Sequence, residues 1–353
     1  METLIPQWWF TGLPQWLLVL ILVAALALLI KGADWLVGGA AGIAYRLRIS
    51  KVVVAATIVS MGTTSPETAV SVTAAWSGQA GLALGNAIGS VICNAALIFG
   101  LGSVMTRLPA DRYVLVRQGL CQLLAVLAVS AICFLAWMTD GAGAVLARSR
   151  GVLLLLALGA YVVLSIIWGR RHPSGEPFMP AEEGDTNSTT RQPGFVSLVA
   201  VSVVGLLAVL IASRFFVAAI TVLCEVHWHV PKVVVAATIV AIGTSLPELV
   251  VSLTSVYKGH GEMLVGNVIG ANVLNIVWVT GAAAAVAPLP LLDASSRSPA
   301  MFLWLHVPTM LLVILLFSAF IVHGTRRGRF PKGIGWPLLA IYAGYIVVQL
   351  IWS

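Results

Sequence analysis

Fifteen residues, Thr57 to Ser71, read TIVSMGTTSPETAVS, and Thr238 to Ser252 repeat them as TIVAIGTSLPELVVS. With Lys51 set against Lys232 the offset is a constant 181, and 23 of the 50 paired positions are identical. The first nine pairs, KVVVAATIV, match throughout. Each copy is long and apolar enough to cross a bilayer, yet each carries a Pro-Glu pair near its middle. A carboxylate at membrane depth is costly and by default marks an ion or substrate pathway. Two of them in duplicated helices point to transport.

The rest of the chain fits that setting. It is 59% hydrophobic and 9% charged, with a mean hydropathy of +1.00, which indicates a polytopic membrane protein and excludes the soluble classes. The net charge of +7 does not call for nucleic acid, because membrane proteins collect Lys and Arg in their cytoplasmic loops. No basic residue precedes Lys31, so residues 14–30 read as a first membrane helix and not as a cleaved signal. Cys93, Cys121, Cys133 and Cys224 lie in or beside apolar spans without metal spacing and are expected to be packing residues.

Apolar segments fall near 14–44, 51–76, 82–106, 113–138, 144–168, 195–223, 232–257, 263–287, 300–323 and 334–352. Each is near or above the ~20 residues that a bilayer requires. The expectation is an all-α fold of ten transmembrane helices. The polar, Pro/Gly-rich stretch 169–194 divides it into five-helix halves, 1–168 and 195–353. With the N-terminus outside, the inner loops would hold fourteen Lys and Arg and the outer loops only Arg148, Arg150, Lys232 and Arg297. This positive-inside bias places both termini outside and the 169–194 loop in the cytoplasm. The copies are the second and seventh spans, an odd offset of five, so the two halves are expected to be inverted repeats, which bind substrate near mid-membrane.

Thr57, Ser60, Thr64, Glu67 and Ser71 are spaced 3, 4, 3 and 4 apart and stack on one helix face. The second copy offers Thr238, Ala241, Ser245, Glu248 and Ser252, with Thr244 beside them. Hydroxyls around a carboxylate suit hard cations such as sodium and calcium, whereas zinc or copper would call for His or Cys. Pro66 and Pro247 should deprive the carbonyls of Gly62 and Gly243 of their helical partners. The following helices carry GNAIGSVICN and GNVIGANVLN. In them Asn86, Ser90 and Asn94 share a face, as do Asn267, Ala271 and Asn275. Gly85/Gly89 and Gly266/Gly270 are GxxxG pairs suited to close helix contact. Asn86 and Asn267 are expected to bond between helices, and Asp34 and Arg214, in nearly equivalent places, to serve structure. His227 and His229 should be interfacial.

These motifs resemble the cation/calcium exchanger superfamily, specifically prokaryotic sodium/calcium exchangers. GTTSPE with GNAIGSVICN, then GTSLPE with GNVIGANVLN, are similar to the family's two alpha-repeats, and KGADWLVGGA at 31–40 looks like its first helix. The resemblance implies that Glu67 and Glu248 are the central carboxylates shared by calcium and sodium. It implies hydroxyl ligands from Thr63, Thr64, Thr244 and Ser245, carbonyl ligands from Ser60 and Ala241, and further ligands from Ser90, Asn94 and Asn275. Ala271 stands where the second repeat has serine, which puts one sodium site in question. Asn275 stands where potassium-dependent members carry an acidic residue, so potassium dependence is not expected.

The resulting expectation is a secondary antiporter in a bacterial inner membrane, not an enzyme. Calcium and sodium are its cargo, the lipid bilayer its surroundings, and it has no cofactor and no nucleic-acid partner. Calcium/proton antiport through the same glutamates is the nearest alternative. A cation channel and an intramembrane hydrolase using the paired carboxylates are the readings from other classes.

Overall fold

A computed structural model describes residues 8–171, 194–229, 241–292 and 301–352. Lys232 and Thr238, most of the 169–194 linker, and the start of the second copy lie outside the described residues. The helices are α1 (Gln15–Leu47), α2 (Lys51–Thr63), α3 (Ser65–Trp76), α4 (Ala80–Met105), α5 (Arg112–Asp140) and α6 (Arg148–Arg171). They continue as α7 (Phe195–His227), α8 (Ala241–Thr244), α9 (Leu246–Tyr257), α10 (Gly261–Val286), α11 (Phe302–Arg327) and α12 (Trp336–Trp352). Apart from a two-residue antiparallel pairing of Val145–Leu146 with Leu289–Pro290 and an isolated bridge between Pro109 and Arg329, the described residues lie in helices and short connections.

Among the described residues seven helices are long and apolar enough to cross a membrane: α1, α4, α5, α6, α7, α10 and α11. The expected 51–76 span is instead two shorter helices. It breaks at Thr64 (φ −82, ψ −5), and the second copy breaks at Ser245 (φ −89, ψ 10). Pro66 and Pro247 sit in the first turn of α3 and α9, where a missing N–H costs nothing. Other paired positions also match. Gly78 and Gly259 close α3 and α9 with φ +74 and +76, a left-handed conformation that glycine adopts freely.

The centre belongs to α4 and α10, whose most apolar windows are 72% and 83% buried against 22–39% for the other five long helices. Both lean on the broken helices: α3 packs on α4, α9 on α10, and α10 also lies along α2. Glycine permits that last approach. A Cβ at Gly266 would fall 2.5 Å from the carbonyl oxygen of Val52, and one at Gly270 would collide with the backbone of Ala56. The expected GxxxG contact is therefore a backbone-to-backbone seam here. The matching partners for Gly85 and Gly89, Val233 and Ala237, lie outside the described residues. A second close pair is α1 against α7, where Gly32 meets Gly205 and Ala208.

Candidate cation-binding site

Glu67 and Glu248 occupy the first turns of α3 and α9, just past the two breaks. The positive end of each helix dipole there favours a carboxylate. Both are closed to solvent, at 0% and 1% exposure. Hydrogen bonds between the copies bring the breaks together. Thr64, three residues before Glu67, donates its hydroxyl to Glu248 Oε1 at 3.2 Å. Ser245, three residues before Glu248, bonds Ser90 Oγ at 3.2 Å. Ser60 Oγ lies 2.9 Å from Asn267 Oδ1.

Several buried polar atoms in this region have no partner among the described residues: both oxygens of Glu67, Glu248 Oε2, both side-chain heteroatoms of Asn94, and Asn275 Oδ1. Native proteins satisfy nearly all buried polar groups, since each orphan costs on the order of 1–3 kcal/mol. Such a concentration of orphans, most of them acceptors, suits a positively charged ligand. Asn94 and Asn275 lie in the wide π-turns Cys93–Ile98 and Asn275–Val279, a geometry frequent at functional sites. The first π-turn packs on α9 and the second on α3, so each amide segment lies against the other copy's glutamate helix.

A model of the sodium/calcium exchanger protein family matches residues 17–167 and 197–351. The putative antiporter CaxA of Alkalimonas amylolytica is 33% identical over 92% of this chain and 95% of its own length. The sodium/calcium exchanger MaX1 of Methanosarcina acetivorans is 28% identical over 93% and 97%. The solved sodium-calcium exchanger NCX_Mj superposes with a TM-score of 0.75 at 28% identity, covering 95% of this chain and 99% of that one. The chain belongs to the sodium/calcium exchanger family. It is an integral membrane antiporter.

Within this exchanger, other expected positions bind protein. Asn86 Nδ2 donates to Ser71 Oγ at 3.0 Å, and Asn267 Nδ2 donates to Ser252 Oγ at the same distance. Both amides therefore bridge helices. Thr57 and Thr63 bond carbonyls of their own helix. The Ser60 carbonyl accepts the Thr64 N–H at 2.8 Å. The carbonyl of Gly62 has lost its helical partner to Pro66, and the Ser65 hydroxyl donates to it at 2.6 Å instead. Leu246 at the matching place has no hydroxyl to do the same for Gly243. Thr244 is half-buried, and Ala241 opens α8.

Asp34 takes the structural part expected of it, but its partner, the bonds of Gln118 and Gln122 and the surroundings of Arg214 were not legible in the sequence. Asp34 is tied to Lys258 at 2.6 Å, a contact across 224 residues. Gln118 and Gln122, one turn apart on α5, bond Ser165 and Asn272; their spacing of four was a visible signal. Arg214, on α7, keeps a buried Nη2 without a partner among the described residues.

Proposed function

We propose that this exchanger binds calcium and sodium in turn between Glu67 and Glu248 and expels calcium by letting sodium enter. The observation that carries the reading is the set of buried, unpartnered oxygens on Glu67, Glu248, Asn94 and Asn275. Thr63, Thr64, Thr244, Ser245 and Ser90 add hydroxyls, and the carbonyls of Ser60 and Ala241 complete the ligand set. Two carboxylates cannot both stay ionised cheaply in a solvent-excluded centre unless cations neutralise them. One calcium or several sodium ions serve, but a mixture that overfills the site is disfavoured. Exchange rests on that mutual exclusion. The names of MaX1 and NCX_Mj agree in pairing these two ions.

The architecture we infer has ten spans in two inverted five-helix halves, with α2–α3 and α8–α9 each traversing as a broken helix. The offset of five spans from one copy to the other and the paired conformations at 64/245 and 78/259 support it. The basic residues favour termini outside and the 169–194 loop in the cytoplasm, and the Escherichia coli relative YrbG is named an inner membrane protein. Calcium uptake into proteoliposomes under imposed sodium, potassium or proton gradients tests the function. Sodium alone should drive it. Uptake driven only by protons would replace sodium as the coupling ion.

A further inference from the structure

Two connections meet outside the ion site: 106–111, between α4 and α5, and 328–335, between α11 and α12. The Ala110 N–H donates to the Gly328 carbonyl at 3.0 Å, and the Phe330 N–H donates to the Leu108 carbonyl at 2.8 Å. Phe330 itself is buried edge-on against Phe99. Beside this seam lies a recess of about 570 Å³ lined by Arg107, Arg327, Arg329, Pro331 and Lys332. Four cations line it and no acid does. Among the described residues none of the four is in an ion pair, and like charges gathered without a counterion repel.

The fold does not ask for these charges. Under the 181-residue offset Pro109 corresponds to Pro290, which pairs with Val145 beyond the other end of α5. There the positions matching Arg107, Arg327 and Lys332 are Pro288, Leu146 and Gly151, and only Arg329 has a basic counterpart, Arg148. A similar seam thus forms with one cation in place of four. Arg327, in the last turn of α11, also complements that helix's dipole, but the other three lie in the connections. Trp336 opens α12 at 62% exposure, and tryptophan favours the boundary between membrane and water. The recess therefore sits at the depth of lipid headgroups.

We propose that this recess binds the phosphate of an anionic phospholipid headgroup. A phosphodiester presents two free oxygens and one negative charge, which suit the planar forks of Arg107, Arg327 and Arg329 and the point charge of Lys332. Basic pockets between membrane helices take such headgroups for this reason. A zwitterionic headgroup carries its own cation into the recess and is disfavoured. The neighbouring recess at Arg112 and Arg117 lacks this character, because Asp111 lines it and Arg117 already lies 3.7 Å from the centre of the Tyr113 ring. The site is independent of which ions are exchanged.

Native mass spectrometry of the full chain, released from micelles holding equal phosphatidylglycerol and phosphatidylcholine, tests the assignment. The native protein should retain phosphatidylglycerol about tenfold or more over phosphatidylcholine. The triple variant Arg107→Gln, Arg329→Gln, Lys332→Gln should lose that preference to within about twofold while calcium flux persists. Arg46→Gln, Arg48→Gln, Arg171→Gln removes the same charge from the ends of α1 and α6 and should keep it. If the first triple variant does not fold, Lys332→Gln alone should cut the preference several-fold. No preference in the native protein overturns the site, as does an unchanged preference in the recess variants. Equal loss in both triple variants overturns it too, since diffuse attraction would then suffice. Displacement of the lipid by inorganic phosphate at matched concentration overturns the lipid as the source of the phosphate.

Discussion

The two copies of the repeated segment share 23 of 50 paired residues, both glutamates among them, yet their carboxylates are held differently. Glu248 accepts the Thr64 hydroxyl at 3.2 Å, whereas neither oxygen of Glu67 has a donor among the described residues. The difference follows three positions at which the first copy has Ser60, Ser65 and Ser90 and the second has Ala241, Leu246 and Ala271. Ser60 reaches Asn267, Ser65 caps the Gly62 carbonyl, and Ser90 meets Ser245. Two of the three hydroxyls thus cross over to the second copy, and none crosses back from its alanines. Duplication supplied two carboxylates, and divergence made the first copy a brace for the second.

The comparison breaks most visibly if the carboxylates are not both needed. Glu67→Gln and Glu248→Gln should each reduce calcium exchange by about a hundredfold or more while the protein still folds, since the amide keeps the shape and removes the charge. Losing one charged partner of a bound cation is worth several kcal/mol, and each 1.4 kcal/mol is about tenfold. Calcium flux and a size-exclusion profile for each variant check this. Retained flux in both would make the carboxylates structural.

The bracing itself predicts unequal effects at a corresponding pair. Thr64→Val removes a hydroxyl aimed at a carboxylate, an interaction worth about 1.5–3 kcal/mol, and should weaken calcium binding about tenfold or more. Ser245→Ala removes a bond to the neutral Ser90 hydroxyl, worth about 0.5–1.5 kcal/mol, and should weaken it only a few-fold. Calcium titrations of the two variants side by side decide it. Equal losses would mean that the halves are equivalent when loaded.

What the sequence revealed and what it hid follow from the same geometry. Helical spacing assigns residues to a face of their own helix, so Glu67, Glu248, Asn94 and Asn275 each stood out there, their grouping into one site came from the family resemblance, and the prolines announced both breaks. Spacing does not say which residue of a distant helix stands opposite. The cross-copy bonds of Ser60, Thr64 and Ser245, and the Asp34–Lys258 contact, were therefore invisible. Ser65 lies off that face, so spacing does not reveal that its hydroxyl satisfies the Gly62 carbonyl freed by Pro66. Arg214 could be seen as a residue, but its want of a partner is a property of the packed structure.

Ala271→Ser would restore to the second copy the hydroxyl that Ser90 supplies in the first. Ala271 is fully buried and its carbonyl accepts Asn275 Nδ2 at 2.9 Å, so position 271 adjoins an expected ligand. Sodium depends more than calcium on neutral oxygens, and one added ligand is worth on the order of 1 kcal/mol. The sodium concentration for half-maximal exchange should fall several-fold, with a smaller change for calcium. An unchanged sodium curve would show that position 271 does not face the ion.

The smallest effect concerns the turn that follows α9, outside the ion site, where His260 precedes α10. Its Nδ1 lies 3.4 Å from Lys51 Nζ, and Lys51 also pairs with Glu262 at 3.0 Å. Partial burial, and then the Lys51 charge, push the His260 pKa below its ordinary 6.5, Lys258 acting the same way and Glu262 opposing them. The folded protein therefore resists a proton that the unfolded chain accepts. Stability from this group is full above pH 6.5, declines as pH falls below that value, and levels off once the folded imidazole also protonates. The first copy has Gln79 at the matching place and no such dependence. His260→Gln should thus flatten the pH dependence of the thermal midpoint just below pH 6.5 and leave it unchanged above. Midpoints of both proteins in detergent across that window make the comparison, and parallel curves would mean that neither burial nor Lys51 holds the His260 pKa down in solution.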